Sequence, residues 1–150
     1  IVLSAIAALT SGAALADNLN IGGGVASICS VSSSQASVLF PTIINGSSEQ
    51  VLLTIECNDP DGALMSLTTS EGHLQNADQE DKGVGYSAVL ASSVFNLTLN
   101  ANNGANDTTV SDLQSGFAGQ IAGTLDITVT ETPVWAGTYA DTLMLTITAQ

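Results

Sequence analysis

The stretch WAGTYADTLMLTITAQ, residues 135–150, decides the fold class because its second half alternates between apolar and polar side chains. Leu143, Leu145 and Ile147 share one face, and the alternate positions carry three threonines and one methionine. A period of two residues is typical of a β-strand with one buried face. After Asp141 the strand has no charge or proline that would protect an exposed edge. We therefore expect it either to be paired on both sides or to receive a strand from another chain.

The same period of two recurs along the chain and predicts about eight strands. No stretch of ten residues after the N-terminal apolar run carries a capped helical stripe, and clusters of Gly, Pro, Asn and Asp separate the alternating segments. This pattern predicts an all-β protein with an immunoglobulin-like antiparallel β-sandwich, and a jelly roll is the alternative. Besides the C-terminal strand, the predicted strands are residues 51–57, 94–100 and 124–130 and, more weakly, 25–31, 37–40, 63–69 and 84–90.

The first sixteen residues, IVLSAIAALTSGAALA, are apolar, uncharged and close on an Ala-x-Ala sequence. Such a run is typical of a secretory signal peptide and its cleavage site. We expect residues 1–16 to be a signal remnant, with a retained hydrophobic segment as the alternative. The rest is then an N-terminal extension, 17–28, and one sandwich domain, 29–150, of a secreted protein.

Cys29 and Cys57 are the two cysteines, and each lies in an apolar, strand-like run. An even number of cysteines in a secreted chain predicts a disulfide, which would join either the two sheets or two neighbouring strands. A zinc site would lack ligands, because His73 is the single histidine.

The charge of the chain excludes one class of partner. The formal net charge is -13, and the sequence contains a single lysine, Lys82, and no arginine. Neutralising a phosphate backbone requires several basic side chains. We therefore expect no nucleic acid partner and no attraction to an anionic membrane surface.

No catalytic constellation is visible in the sequence, and we expect no enzyme activity, no cofactor and no metal site. His73 lies in a loop-like stretch and is expected to be solvated. There is no Gly-x-Ser-x-Gly sequence and no glycine-rich phosphate loop ending in lysine. The acidic loops at 59–61 and 78–81 are expected to be solvated turns, and calcium binding is the alternative.

Three features carry a resemblance to a known family. They are Cys29 in the first core strand, Cys57 within the sequence Ile-Glu-Cys-Asn, and the sequence AGTYADT at 136–142. Together they resemble the secreted spore coat protein U domain and the related archaic chaperone–usher pilins. The resemblance implies an incomplete immunoglobulin-like fold that lacks its last strand. A periplasmic chaperone would supply that strand first, and the N-terminal extension of the next subunit would supply it later. The resemblance also implies an outer-membrane usher as a partner.

Residues 17–28 contain the candidate donor strand of such an exchange. The twelve residues between Ala16 and Cys29 span roughly 40 Å when extended, enough for a donor strand or for most of a first domain strand, but not for both. The alternative is therefore that this segment is the first strand of the domain. The candidate donor positions are Leu19, Ile21, Gly23 and Val25, and the acceptor positions are Leu143, Leu145 and Ile147.

The function that these features predict is a structural subunit of a surface fibre or coat, assembled by β-strand exchange. Its partners would be identical or related subunits in a head-to-tail polymer, first in the periplasm and then at the cell surface. One alternative is a pilus-tip adhesin or another surface-binding module, in which Trp135 could stack on a sugar. Another is a free-standing secreted coat or matrix protein that closes its own sheet.

Overall fold

A computed structural model of the protein describes residues 19–102 and 108–150. These residues form an all-β structure of antiparallel sheets, as the period of two predicts. They contain no helix, and therefore none that is long and apolar enough to cross a membrane. The expected signal segment 1–16 and the first two residues of the extension lie outside the described residues.

Two sheets form a β-sandwich, and a third, small sheet covers one of its ends. The larger sheet has the order β1-β2-β9-β6-β7, and the facing sheet has the order β11-β3-β8. The small sheet has the order β10-β4-β5. The eleven strands in the described residues are β1 (Cys29–Ser33), β2 (Ser48–Cys57), β3 (Ala63–Thr69), β4 (Leu74–Asn76), β5 (Gly83–Val84), β6 (Tyr86–Ser92), β7 (Asn96–Ala101), β8 (Thr109–Gln114), β9 (Gly119–Val129), β10 (Tyr139–Ala140) and β11 (Leu143–Ala149).

The strand registers define two ends of the sandwich. At the lower end, Cys57 pairs with Cys29 and Ala63 pairs with Ala149. At the upper end, Tyr86 pairs with Val129, next to the small sheet.

The core lies between the two main sheets, and the alternation in the sequence builds it. Apolar residues at every second position of β2, β3, β6 and β7 are buried, while their neighbours face solvent. Burying one large aliphatic or aromatic side chain stabilises the folded state by about 1.5–3 kcal/mol. The largest fully buried apolar side chains are Phe95, Ile55, Met65, Leu67, Leu90 and Leu99.

The predicted disulfide between Cys29 and Cys57 is confirmed. The two residues face each other in the register of β1 and β2, which are neighbours in one sheet. The disulfide therefore joins neighbouring strands rather than the two sheets, and it fixes the position at which the chain enters the sandwich.

Two weaker strand predictions are wrong at least in part. Residues 37–40 form no strand, and the first strand begins at Cys29 instead of Val25. Val38 and Phe40 line the upper cavity without pairing to a sheet, while Leu39 between them is exposed, so the segment has the alternation of a strand without forming one. Because β1 begins at the cysteine, residues 19–28 are not the first strand of the domain.

The expectation that His73 is solvated is also wrong, because its side chain is only 3% exposed. The ring packs against Gly83, where a β-carbon would lie 1.8 Å from the ring atom Cδ2. The room for the ring thus comes from a glycine ten residues away, on the neighbouring strand β5.

Candidate functional site: an open groove between β1 and β11

The closed side of the sandwich is bridged by a hydrogen bond and an aromatic contact, whereas the open side has no hydrogen bond that pairs its two edge strands in the described residues. On the closed side, the Asn96 amide of β7 donates to Asp112 Oδ2 of β8 across 3.1 Å, and Phe95 meets Phe117 edge to face at 5.9 Å. On the open side, β1 ends the larger sheet and β11 ends the facing sheet, and Cα atoms of the two strands come within 8 Å of each other along part of their length. Within the described residues, no strand is hydrogen-bonded between them. We call this gap the groove.

The inward face of β11 shows that the groove is unfilled. Leu143, Leu145 and Ile147 point toward the core, as predicted, but each is only partly buried. The opposite face of the groove, on β1, is also incomplete, since Cys29 and Val31 are partly buried. Partly covered apolar side chains along both edges mean that the core lacks contacts at this position.

The upper half of the groove widens into a cavity of about 310 Å³. Its floor comes from the larger sheet and its walls from β11 and the 35–40 segment. The lining is largely apolar, and its main aliphatic and aromatic members are Val38, Phe40, Leu53, Leu125, Leu143 and Leu145.

The second edge of β11 is available for pairing. All seven residues of β11 pair with β3, from Leu143 opposite Thr69 to Ala149 opposite Ala63. Both flanks of the strand are fixed on that same side, by bonds from the Ser70 amide to the Thr142 carbonyl at 2.9 Å and from the Gln150 amide to the Gly62 carbonyl at 3.1 Å. A seven-residue strand extends over about 23 Å, so its outer edge offers a long row of N–H and C=O groups.

A cluster of hydrogen bonds around the Asp141 carboxylate closes the upper end of the groove, and we call it the polar node. The hydroxyl of buried Tyr86 donates to Asp141 Oδ2 across 2.7 Å. The other carboxylate oxygen of Asp141 accepts from the Ser70 hydroxyl and from the amides of Glu71 and Thr142, at 2.7–3.0 Å. Burial and then the Asp141 carboxylate raise the pKa of the Tyr86 phenol above its ordinary value. This node fixes where β11 begins and leaves its outer edge free.

The sequence AGTYADT, which carried the family resemblance, builds this upper end. Gly137 has a φ of 147° and approaches Asn76 so closely that a β-carbon would lie 2.6 Å from Nδ2. The Tyr139 hydroxyl donates to the Trp135 carbonyl at 2.6 Å. The motif is therefore a bend at Gly137 followed by the short strand β10, which leads into Asp141, while the Trp135 side chain remains half exposed.

The candidate donor segment lies outside the sandwich and belongs to no strand. The side chains of Leu19, Ile21 and Val25 are 85%, 91% and 89% exposed, which is unusual for large aliphatic residues so close together. The Gly22–Gly24 backbone has no contact within 4 Å of any added β-carbon. The structure thus leaves the predicted donor positions unpaired and does not bring them to the groove of their own molecule.

The three residues between this segment and the disulfide, Ala26–Ile28, are held firmly, and we call them the root. Asn58 makes three hydrogen bonds to the root. Its backbone amide donates to the Ile28 carbonyl at 3.1 Å, and its side-chain Nδ2 donates to the Ala26 carbonyl at 2.9 Å. Its side-chain Oδ1 accepts from the Ile28 backbone amide at 2.6 Å. The Ser27 hydroxyl donates to Asp59 Oδ2 at 2.7 Å. In the sequence, Asn58 and Asp59 read only as a turn, so this role was missed.

The acidic loops show no arrangement that would hold a metal ion. Asp59 fixes its own turn by accepting from the Asp61 amide at 2.9 Å, and Asp81 pairs with Lys82 at 2.9 Å. Within residues 19–102 and 108–150, no three His, Cys, Asp or Glu side chains come together as candidate ligands.

No family model matches the chain, and a search of curated proteins finds no match. Of the predicted site residues, the acceptor positions and the disulfide lie along the groove, whereas the donor positions extend away from it.

Proposed function

We propose that this protein is a structural subunit of a surface fibre or coat, and that its subunits assemble by β-strand exchange. The groove of one molecule accepts residues 19–25 of another as an additional strand beside β11. The single observation that carries this proposal is the combination of a free strand edge and a half-covered apolar face along β11.

The acceptor side has what strand addition requires. Main-chain N–H and C=O groups on the edge of β11 would give affinity, and the apolar pockets beneath would select alternate side chains of the incoming strand. The inserted strand would complete the facing sheet and would cover Leu143, Leu145 and Ile147. An edge without charge or proline is otherwise a site of uncontrolled aggregation, which natural proteins avoid.

The donor side has the matching pattern. Leu19, Ile21, Gly23 and Val25 fall on one face of an extended segment. Burying each of the three aliphatic side chains would contribute about 1.5–3 kcal/mol. Since all three are largely exposed in the single molecule, their burial requires no existing contact of the core to be broken.

The connection between donor and acceptor makes the assembly head-to-tail. The extension and the groove are different surfaces of the same chain, so each subunit donates to one neighbour and accepts from another. A heterologous contact of this kind builds an open filament unless its rotation closes a ring.

The disulfide favours an oxidising compartment, and this supports the secreted location. The family resemblance adds a periplasmic chaperone and an outer-membrane usher as partners. A chaperone would meet a physical need of this fold, since an open groove has to be covered until the next subunit arrives.

The test compares Ile21→Asp with Leu52→Asp. Leu52 is a matched control, because it is an exposed leucine whose side chain lies on the outer face of β2 and does not line the cavity. Ile21→Asp places a charge in the donor strand and should abolish SDS-resistant ladders and fibres seen by negative-stain electron microscopy. Leu52→Asp should leave both unchanged.

A synthetic peptide of residues 19–25 separates acceptor from donor. Added to Ile21→Asp subunits, it should raise the unfolding temperature, because a ligand that binds only the folded state stabilises it. The same peptide carrying Asp at its third position should have no effect. If Ile21→Asp subunits polymerise normally, or if the wild-type peptide leaves stability unchanged, the protein is a self-closed coat domain or a binding module instead.

A further inference from the structure

We propose, on the basis of the strand exchange above, that Asn58 and Asp59 are positioning residues that keep the extension out of the groove of its own molecule. They hold the root, Ala26–Ile28, in line with β1. The extension is thereby directed away from the lower end of the sandwich, and exchange takes place between molecules.

The need for such a device follows from effective concentration. A strand tethered to its own acceptor is present at an effective concentration on the order of mM. Separate subunits at μM concentration would lose this competition, and every molecule would close on itself. Polymerisation therefore requires that the geometry forbid self-insertion.

Insertion parallel to β1 is excluded by the length of the root. In that direction Val25 would lie at the upper end of the groove, while Cys29 stays at the lower end in its disulfide. β11 is about 23 Å long, whereas the four Cα–Cα steps from Val25 to Cys29 span at most about 14 Å. The same direction is open to an extension that comes from another molecule.

Insertion in the opposite direction needs a sharp reversal of the chain within the root. The root lies beside the residues that follow β2, because Asn58 bonds to Ala26 and Ile28 and Asp59 bonds to Ser27. Three of its four bonds involve the side chains of Asn58 and Asp59. The root is otherwise exposed, so these bonds are what oppose the reversal.

The experiment detects self-insertion by cross-linking. Two double variants are made, one with Ile21→Cys and Leu143→Cys and the other with Ile21→Cys and Leu145→Cys. Each is refolded at concentrations from about 0.1 to about 10 μM, a range well below the effective concentration of a tethered strand. With the native root, cross-links should join different molecules. Adding Asn58→Ala should increase the cross-linked monomer at least tenfold at the lowest concentration.

Gln50→Ala serves as the matched control, because Gln50 donates to Asp126 at 2.7 Å on the outer face of β2, away from the root. It should leave the products unchanged. Ser27→Ala removes one hydroxyl without touching β2, so it keeps the test valid if Asn58→Ala subunits fold poorly. It should shift the products in the same direction, and the Ile28 amide should exchange faster in Asn58→Ala subunits.

The outcomes separate the two proposals. Equal monomer fractions in the native and Asn58→Ala backgrounds, with cross-links between molecules in both, would overturn the positioning role while leaving strand exchange intact. The absence of any cross-link in either background would overturn strand exchange itself, and this inference with it.

Discussion

Leu145 of β11 and Leu67 of β3 are direct cross-strand partners, yet Leu67 is completely buried and Leu145 is not. Both side chains point into the same core. The difference arises because Leu67 has neighbouring strands on both sides, β11 and β8, whereas Leu145 faces the groove on one side. This pair thus marks the edge of the facing sheet on the side of the groove.

Truncating the two leucines should have unequal costs in an isolated subunit. Leu67→Ala should lower the free energy of unfolding by about 2–5 kcal/mol, the range for a fully buried leucine. Leu145→Ala should cost clearly less in the monomer, because part of its surface is already solvated, and should approach the Leu67 value in assembled subunits. Urea unfolding of monomers and polymers measures both. Equal costs in the monomer would mean that the groove is already filled.

Tyr86→Phe should destabilise the subunit by about 1–3 kcal/mol, because it removes a donor from the Asp141 carboxylate in a buried position. The pKa of Tyr86 is raised in the folded state, so its contribution is complete below the ordinary value near 10 and declines as pH rises further. Wild-type stability should therefore fall between pH 9.5 and about 11.5 more steeply than that of Tyr86→Phe. Parallel curves from denaturant titrations would contradict the role of this node.

Cys29→Ser should lower the free energy of unfolding by about 3–4 kcal/mol, as expected for a disulfide that closes a 28-residue separation. The same loss should follow reduction of the wild-type protein and should be absent on reduction of the variant. Guanidinium unfolding with and without reductant provides the measurement. An unchanged midpoint after verified reduction would remove the stabilising role of the bridge.

Asp59→Asn should make the free energy of unfolding less dependent on pH in the acidic range. The hydrogen bond from Ser27, followed by the one from the Asp61 amide, lowers the pKa of Asp59 below its ordinary value of 3.8. A lowered pKa contributes stability above the ordinary value and loses it as pH falls through the folded-state value. The difference in unfolding free energy between wild type and Asp59→Asn should therefore shrink as the pH falls from 6 toward about 2. A constant difference would show that the carboxylate charge is not what Ser27 recognises.

Assembly should be faster in salt. Subunits with a net charge of -13 repel one another, and screening shortens this repulsion to about 10 Å at 0.1 M ionic strength. Light scattering of refolded subunits should show a rate that rises between 20 and about 200 mM sodium chloride, with the same trend in potassium chloride. A rate that falls with salt would require attraction between opposite charges, for which this chain has almost no cations.

The sequence predicts most of the sandwich but little of its edges. The strongest alternations, 51–57 and 143–149, became β2 and β11, because one-sided burial enforces a period of two. β8 was missed, since its polar sequence TVSDLQ lies at a sheet edge where burial imposes little pattern. The 37–40 run was predicted wrongly because Val38 and Phe40 line the cavity without pairing to another strand.

The site was predictable only where it depends on local pattern. The inward positions of β11 and the exposed alternation of residues 19–25 follow from the sequence. The root does not, because its bonds join Ser27 to Asp59 and Ile28 to Asn58, about thirty residues apart. The burial of His73 against Gly83 likewise depends on which strands become neighbours.

Mixing two single-cysteine variants is the measurement that tests strand exchange most directly. Ile21→Cys subunits and Leu145→Cys subunits, each with the native disulfide intact, are refolded together and oxidised. Opposed side chains on paired strands lie about 4.5–5.5 Å apart at Cβ, close enough for a disulfide after small adjustments. Strand exchange predicts a covalent dimer of the two variants, absent when Leu52→Cys replaces Leu145→Cys. Fibres that form without this dimer, also when Leu143→Cys or Ile147→Cys is used, would contradict it.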